Sequence, residues 1–138
     1  MLKDIPPILS PELLKILCEM GHGDELVIAD GNFSAKGHPQ RVVRLDGHGT
    51  AEVLDAVLSL FPLDNLAPTV LLMSTDDGSR SEIWSSYQKL GEKYEKENYK
   101  TAEIERFKFY ERAKAAYAVV TTSEKALYAN IIIKKGVI

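Results

Sequence analysis

The chain has 138 residues, 45% of them hydrophobic and 27% charged, which is the span and balance of one globular domain and excludes disordered, collagen-like and disulfide-scaffold chains. Seventeen basic residues against twenty acidic ones give a net charge of −3 with neutral histidines, so no basic field is present to hold a nucleic-acid backbone. The single cysteine, Cys18, has no internal partner, and an N-terminus with three prolines and no long apolar run reads as neither a signal peptide nor a membrane span, so a cytoplasmic protein with no membrane or nucleic-acid partner is expected. On that compartment the Asn32-Phe33-Ser34 glycosylation sequon is set aside.

Ser10-Pro11-Glu12 predicts a helix start, with Ser10 as cap, Pro11 at the first helical position and Glu12 complementing the positive helix end. Leu13, Leu14, Leu17, Cys18 and Met20 follow at helical spacing with Cys18 expected to be buried, and Gly21 is placed to close the helix in a left-handed conformation. The apolar run 26–29 predicts a buried strand ending at Asp30. A polar stretch, 31–40, separates it from a strand over 41–45.

Thr50 is expected to cap a second helix whose apolar face is Val53, Leu54, Val57, Leu58 and Phe61, with Pro62 ending it. Residues 69–73 predict a third strand, Asp76-Asp77-Gly78-Ser79 a turn, and Ile83, Trp84, Tyr87 and Leu90 a third helix. Segment 91–103 is charged and expected to be solvated. A fourth helix is predicted over 106–116, then a strand over 117–121 and an apolar strand over 130–137 that must pair with something, lying as it does at the chain end. Strands alternating with helices predict a single α/β domain over residues 1–138, with a central sheet flanked by helices.

Histidine is the side chain whose ordinary pKa, about 6.5, lies near neutral pH, and there are three: His22, His38 and His48. His22, between Gly21 and Gly23 past a helix end, is open to act as a proton donor or acceptor; on spacing alone a solvated loop residue is the commoner reading. A metal site from these histidines with Asp24, Asp30 or Asp46 lacks HExxH or any helical pair of ligands, so no metal and no cofactor is expected. Gly47 and Gly49 around His48 could offer amides to an anion at a helix start, with a tight turn as the alternative. By composition alone Tyr110 and Tyr128 read first as core aromatics with wet hydroxyls and Arg106 as a surface cation. Tyr128-Ala129-Asn130 concentrates a phenol, backbone groups and a primary amide in three residues, a donor and acceptor set suited to a hydroxyl-rich ligand such as a sugar.

The blocks 19–25 (EMGHGDE), 28–30 (IAD), 106–113 (RFKFYERA) and 128–137 (YANIIIKKGV), in this order and spacing, resemble the ribose pyranase and fucose mutarotase family. The Phe-Tyr-Glu-Arg block and an arginine at 106, where the ribose branch is expected to carry histidine, place the likeness in the fucose branch. The resemblance implies a small α/β subunit in a ring-forming oligomer, typically a decamer of stacked pentamers, with each sugar site at a subunit boundary. It implies His22 as catalytic acid/base and Asp30, Arg106, Tyr110, Tyr128, Ala129 and Asn130 as sugar-binding residues, the C-terminal segment reaching the neighbour's His22. The implied activity is interconversion of the anomers of L-fucose or a related reducing sugar; the alternatives are a D-ribose pyranase and a non-catalytic monosaccharide-binding module. The stretch after Asp30, Gly31-Asn32-Phe33-Ser34, departs from the alanine and histidine that follow the aspartate in the enterobacterial pattern.

Overall fold

The computed structural model describes residues 1–35, 37 and 41–138; His38 and three other positions of the polar 31–40 stretch lie outside the described residues. Helix α1 spans Pro11–Glu19, and the Ser10 hydroxyl accepts from the Leu13 amide at 3.2 Å as its cap. The buried stripe is Leu13, Ile16, Leu17 and Met20. Cys18 lies one step round from Leu17, off that stripe, and is exposed, contrary to the sequence reading. Met20 leaves the helix in an extended conformation, so Gly21 is not the left-handed closing residue; that conformation falls at Gly23, with φ +87°.

Strands β1 (Glu25–Ala29), β2 (Val42–Leu45), β3 (Val70–Met73), β4 (Thr101–Ile104), β5 (Ala118–Thr122) and β6 (Ile131–Lys134) form one sheet in the order β2-β5-β1-β6-β3-β4. β2, β5 and β1 pair in parallel, as do β3 and β4, whereas β6 is antiparallel to both β1 and β3. The chain-terminal strand therefore sits inside the sheet. Its residues alternate between two apolar layers: Ile131 and Ile133 pack with Leu26 and Ile28 against α1, α2 (Thr50–Leu58) and α3 (Ile83–Glu95), and Ile132 packs with Val27 and Ala29 against α4 (Arg106–Ala115).

Helix α2 spans Thr50–Leu58 and ends before Phe61, which is buried beyond it. Thr50 is not its cap. The Glu124 carboxylate takes the Thr50 amide and hydroxyl at 3.2 and 3.3 Å, supplying from a distant loop the acceptor that Gly49 lacks. Helix α3 continues through Ile83–Glu95, and β4 follows within the segment expected to be solvated. Its residues alternate between exposed and half-buried because it is the sheet edge, so its charge hid a strand. Helix α4 covers Arg106–Ala115. No helix among the described residues is long and apolar enough to cross a membrane.

The exit of β6 is stitched on two sides. The Gly23 amide donates to the Lys135 carbonyl at 2.8 Å and the Lys135 amide to the Asp24 carbonyl at 2.8 Å. On the other side the Asp64 amide donates to the Lys134 carbonyl at 3.0 Å and the Gly136 amide to the Pro62 carbonyl at 2.8 Å. The backbones approach so closely here that a Cβ on Gly136 would meet the Leu63 carbonyl oxygen at 2.3 Å and the Asp64 Cα at 2.8 Å. Gly136→Ala must push backbone aside, and a loss of about 1–3 kcal/mol in urea unfolding is expected; an unchanged midpoint would show that the loop gives way freely.

Candidate functional site

Every strand but β6 runs in one direction, so the carboxyl ends of β1, β3 and β4 meet the start of β6 at one edge, where open α/β sheets place ligand crevices. Asp30 follows β1 and Asn130 precedes β6. They are joined by a reciprocal pair: the Asp30 amide donates to Asn130 Oδ1 at 2.8 Å, and Asn130 Nδ2 donates to Asp30 Oδ2 at 3.1 Å. The Asn32 amide reaches Asp30 Oδ1 at 3.0 Å. Burial raises the Asp30 pKa; hydrogen bonds from Asn32, Asn130 and Phe33 work against it and the nearby Glu124 charge adds to it, leaving the carboxyl above its ordinary value.

Tyr128 holds a left-handed backbone, φ +56°, a conformation that costs a non-glycine residue about 1–2 kcal/mol. Two buried side chains of α3 brace it. Trp84 Nε1 donates to the Tyr128 carbonyl at 2.9 Å, and the Tyr87 hydroxyl lies 2.5 Å from the Ala129 carbonyl and 2.6 Å from the Thr50 hydroxyl. Burial pushes the Tyr87 phenol well above its ordinary value, which keeps it a donor. Hydrogen bonds of this kind contribute about 1 kcal/mol each, enough to offset the strain. The Tyr128 hydroxyl accepts from the Asp76 amide at 3.2 Å, so its own hydrogen is left for a ligand.

Arg106 and Tyr110 stand four residues apart on α4 and enter the same cleft. Arg106 is the first residue of that helix, where a cation opposes the macrodipole, and it forms no ion pair among the described residues. The Glu105 side chain caps the helix through the Phe107 and Lys108 amides, and the Arg106 guanidinium lies over the Phe107 ring, 5.3 Å from its centroid. Tyr110 packs on Phe33 with ring centroids 5.8 Å apart. The cleft has a volume of about 230 Å³, and Phe33, Met73 and Leu127 supply its apolar surface. Sequence reading did not single out these three, since single apolar residues carry no signal of facing a ligand. Ala129 is fully buried beneath the cleft and acts through its backbone.

His22 lies elsewhere. It precedes β1 whereas Asp30 follows it, so the length of a five-residue strand, about 17 Å, separates them, far beyond the 2.6–3.2 Å over which a general acid or base works. His22 Nε2 is 3.1 Å from Asp64 Oδ1, and Lys134 Nζ is 3.2 Å from Asp64 Oδ2. Sequence reasoning missed Asp64. Its signal was a carboxylate beside the apolar Phe61-Pro62-Leu63 run, a context that buries it. Burial works to raise the Asp64 pKa, but hydrogen bonds from His22, Lys134 and the Asn65 and Leu66 backbone outweigh it and hold the carboxyl at about 2.

The remaining candidates are structural. His48 Nδ1 pairs with Glu52 at 3.1 Å, and the α2 start that could have taken an anion is filled by Glu124. Asp77 caps its own turn through the Ser79 amide. His38, the third histidine, lies outside the described residues.

Residues 3–138 match the model of the RbsD / FucU transport protein family. This chain belongs to that family. Over 99% of its length it is 46% identical to an L-fucose mutarotase of Actinobacillus pleuropneumoniae serotype 5b, 97% of which is covered, and 47% identical to a fucose mutarotase of Danio rerio, 94% of which is covered. The structure superposes with a TM-score of 0.92 on the crystal structure of the fucose mutarotase of Streptococcus pneumoniae in complex with L-fucose, at 44% identity and 99% coverage of both chains. Family membership thus rests on the whole domain, including both polar clusters.

A carboxyl whose pKa is lower folded than unfolded stabilises the protein above its unfolded value and loses that contribution as pH falls through the folded one. Between about pH 4 and pH 2, urea unfolding of the wild type is expected to lose stability as Asp64 takes up its proton. Asp64→Asn should show a shallower decline over that window; parallel curves would remove Asp64 from the acid response.

Proposed function

We propose that this protein is a mutarotase that interconverts the α and β anomers of L-fucose. The observation that carries the reading is the cleft at the β1–β6 junction. There a half-buried carboxylate, a guanidinium, two phenols and a primary amide converge, acceptors and donors in the mixture that sugar hydroxyls require. The full-length likeness to proteins named fucose mutarotase supports the choice of sugar.

The reaction asks only for proton movement. The anomeric hydroxyl loses its proton, the bond between the anomeric carbon and the ring oxygen breaks, and the ring oxygen gains a proton, giving the open aldehyde; rotation about the first carbon–carbon bond and the reverse steps close the ring on the other face. His22 is the acid/base that exchanges the proton with the ring oxygen. Asp30 accepts from a sugar hydroxyl, and Arg106, Tyr110, Tyr128 and Asn130 fix the orientation of the ring, with the Ala129 backbone holding the turn in place. A positioned proton-transfer group contributes about 10²–10⁴-fold.

His22 and the cleft of one chain lie too far apart to serve one sugar, so the site is completed by a second copy, whose His22 loop meets the cleft. A ring-shaped homo-oligomer, a decamer of stacked pentamers working in the cytoplasm, provides that meeting at each subunit boundary. The exposed apolar residues Met1, Leu2, Phe107 and Leu127 fit burial between copies.

NMR magnetisation exchange on L-fucose, D-ribose, D-galactose and L-rhamnose with catalytic protein tests the reading. Exchange between the fucose anomers should be accelerated most, and His22→Ala should remove the acceleration while the oligomer persists. Acceleration of ribose pyranose–furanose exchange alone would make the protein a ribose pyranase, and acceleration of none would make it a binding module.

A further inference from the structure

We infer that Asp64 is the positioning residue of His22, taking up Nε2 and leaving Nδ1 as the ring nitrogen that moves the proton. This rests on the acid/base reading of His22 above. The turn that carries the histidine is held through its backbone and leaves the ring unheld: Gly21 and Gly23 flank His22, its side chain is 54% exposed, and the turn's bonds are Gly21 amide to Asp24 at 2.7 Å, Asp24 amide to the Gly21 carbonyl at 3.1 Å and Gly23 amide to the Lys135 carbonyl at 2.8 Å. Among the described residues only the Asp64 carboxylate holds the imidazole, at 3.1 Å from Nε2.

That carboxylate is a fixed point. Its side chain is 6% exposed; Oδ1 also takes the Asn65 amide at 2.8 Å and Oδ2 takes Lys134 Nζ at 3.2 Å. With donors on both oxygens and a lysine ammonium against it, Asp64 is ionised and acceptor-only, so the nitrogen facing it must carry a hydrogen. Nδ1 has no partner among the described residues, and it is the nitrogen free to give a proton to a ring oxygen and take it back. The backbone of Asp64 is itself clamped to the exit of β6, where Gly136 permits the close approach. The imidazole is thereby tied to the sheet through its ring as well as through the backbone of its loop, as a second group orients the base in other proton-transfer sites.

Two substitutions in the assembled protein test this. His22→Nδ1-methylhistidine keeps Nε2 for Asp64 and blocks the other nitrogen; anomeric exchange of L-fucose should fall to the level of His22→Ala. Exchange within about threefold of wild type would overturn the assignment. Asp64→Asn keeps the shape and removes the charge. The expected result is a kcat lower by roughly 10- to 100-fold, a part of what a positioned proton-transfer group contributes, with KM for the sugar nearly unchanged and the His22 ¹⁵N ring resonances moved in a folded oligomer. Unmoved resonances, or an unchanged kcat, would overturn the positioning role. If His22→Ala itself exchanges like wild type, the acid/base reading fails instead, and the ¹⁵N resonances still report whether Asp64 holds the ring.

Discussion

The insertion of β6 between β1 and β3 is the constraint on which the rest of the molecule depends. A strand that ends four residues before the last one, antiparallel to both neighbours, is hydrogen-bonded on both edges and buried on both faces. Its entry presents Asn130 to Asp30, and its exit presents Lys134 to Asp64 and stitches down the His22 turn. Both polar clusters therefore hang on one short strand, and because that strand has fixed length and register it sets their separation. A small domain cannot fold its two ends onto one sugar without breaking this sheet. That is why the proposed site needs a second copy.

Stability and recognition are coupled at the strand's entry. The Tyr128 turn is unfavourable by itself and is held by buried donors from α3, one of which, Tyr87, also meets Thr50 at the start of α2, where Glu124 takes the Thr50 amide. The groups that would face a sugar are thus presented by backbone that the core has already ordered, which reduces the entropy lost on binding. Arg106 follows the same logic in reverse. It sits where a helix disfavours a cation, and a hydroxyl-rich or anionic ligand would be its natural partner.

Much of this was legible in the residues, for identifiable reasons. The cap at Ser10, the apolar runs of β1, β3 and β6 and the helical faces of α2 and α3 announced themselves by period and composition. β4 did not, because an edge strand with one solvated side reads like a charged loop, and the Thr50 cap was misread because its acceptor, Glu124, lies 74 residues away. The segment 128–130 was legible as a donor and acceptor set for a hydroxyl-rich ligand, but Asp30, Arg106 and Tyr110 could be joined to it only through the likeness to a family, since composition left Arg106 as a surface cation and Tyr110 as a core aromatic. Asp64 and the bracing pair Trp84 and Tyr87 escaped both routes, since their roles are made by tertiary contacts across more than 40 residues. The α2 start looked like an anion site and proved to be one that the chain fills with its own carboxylate.

The central claim, that one copy supplies the cleft and another supplies His22, is tested most directly by mixing two inactive variants. His22→Ala retains an intact cleft, and Arg106→Ala retains an intact His22. Co-expressed at equal amounts in one oligomer, random neighbours should restore roughly a quarter of the sites, and L-fucose anomer exchange should return to about that fraction of wild type although each variant alone is inactive. Mixed oligomers that stay as inactive as their parents would place His22 and the cleft of a single chain in the same site and contradict the account.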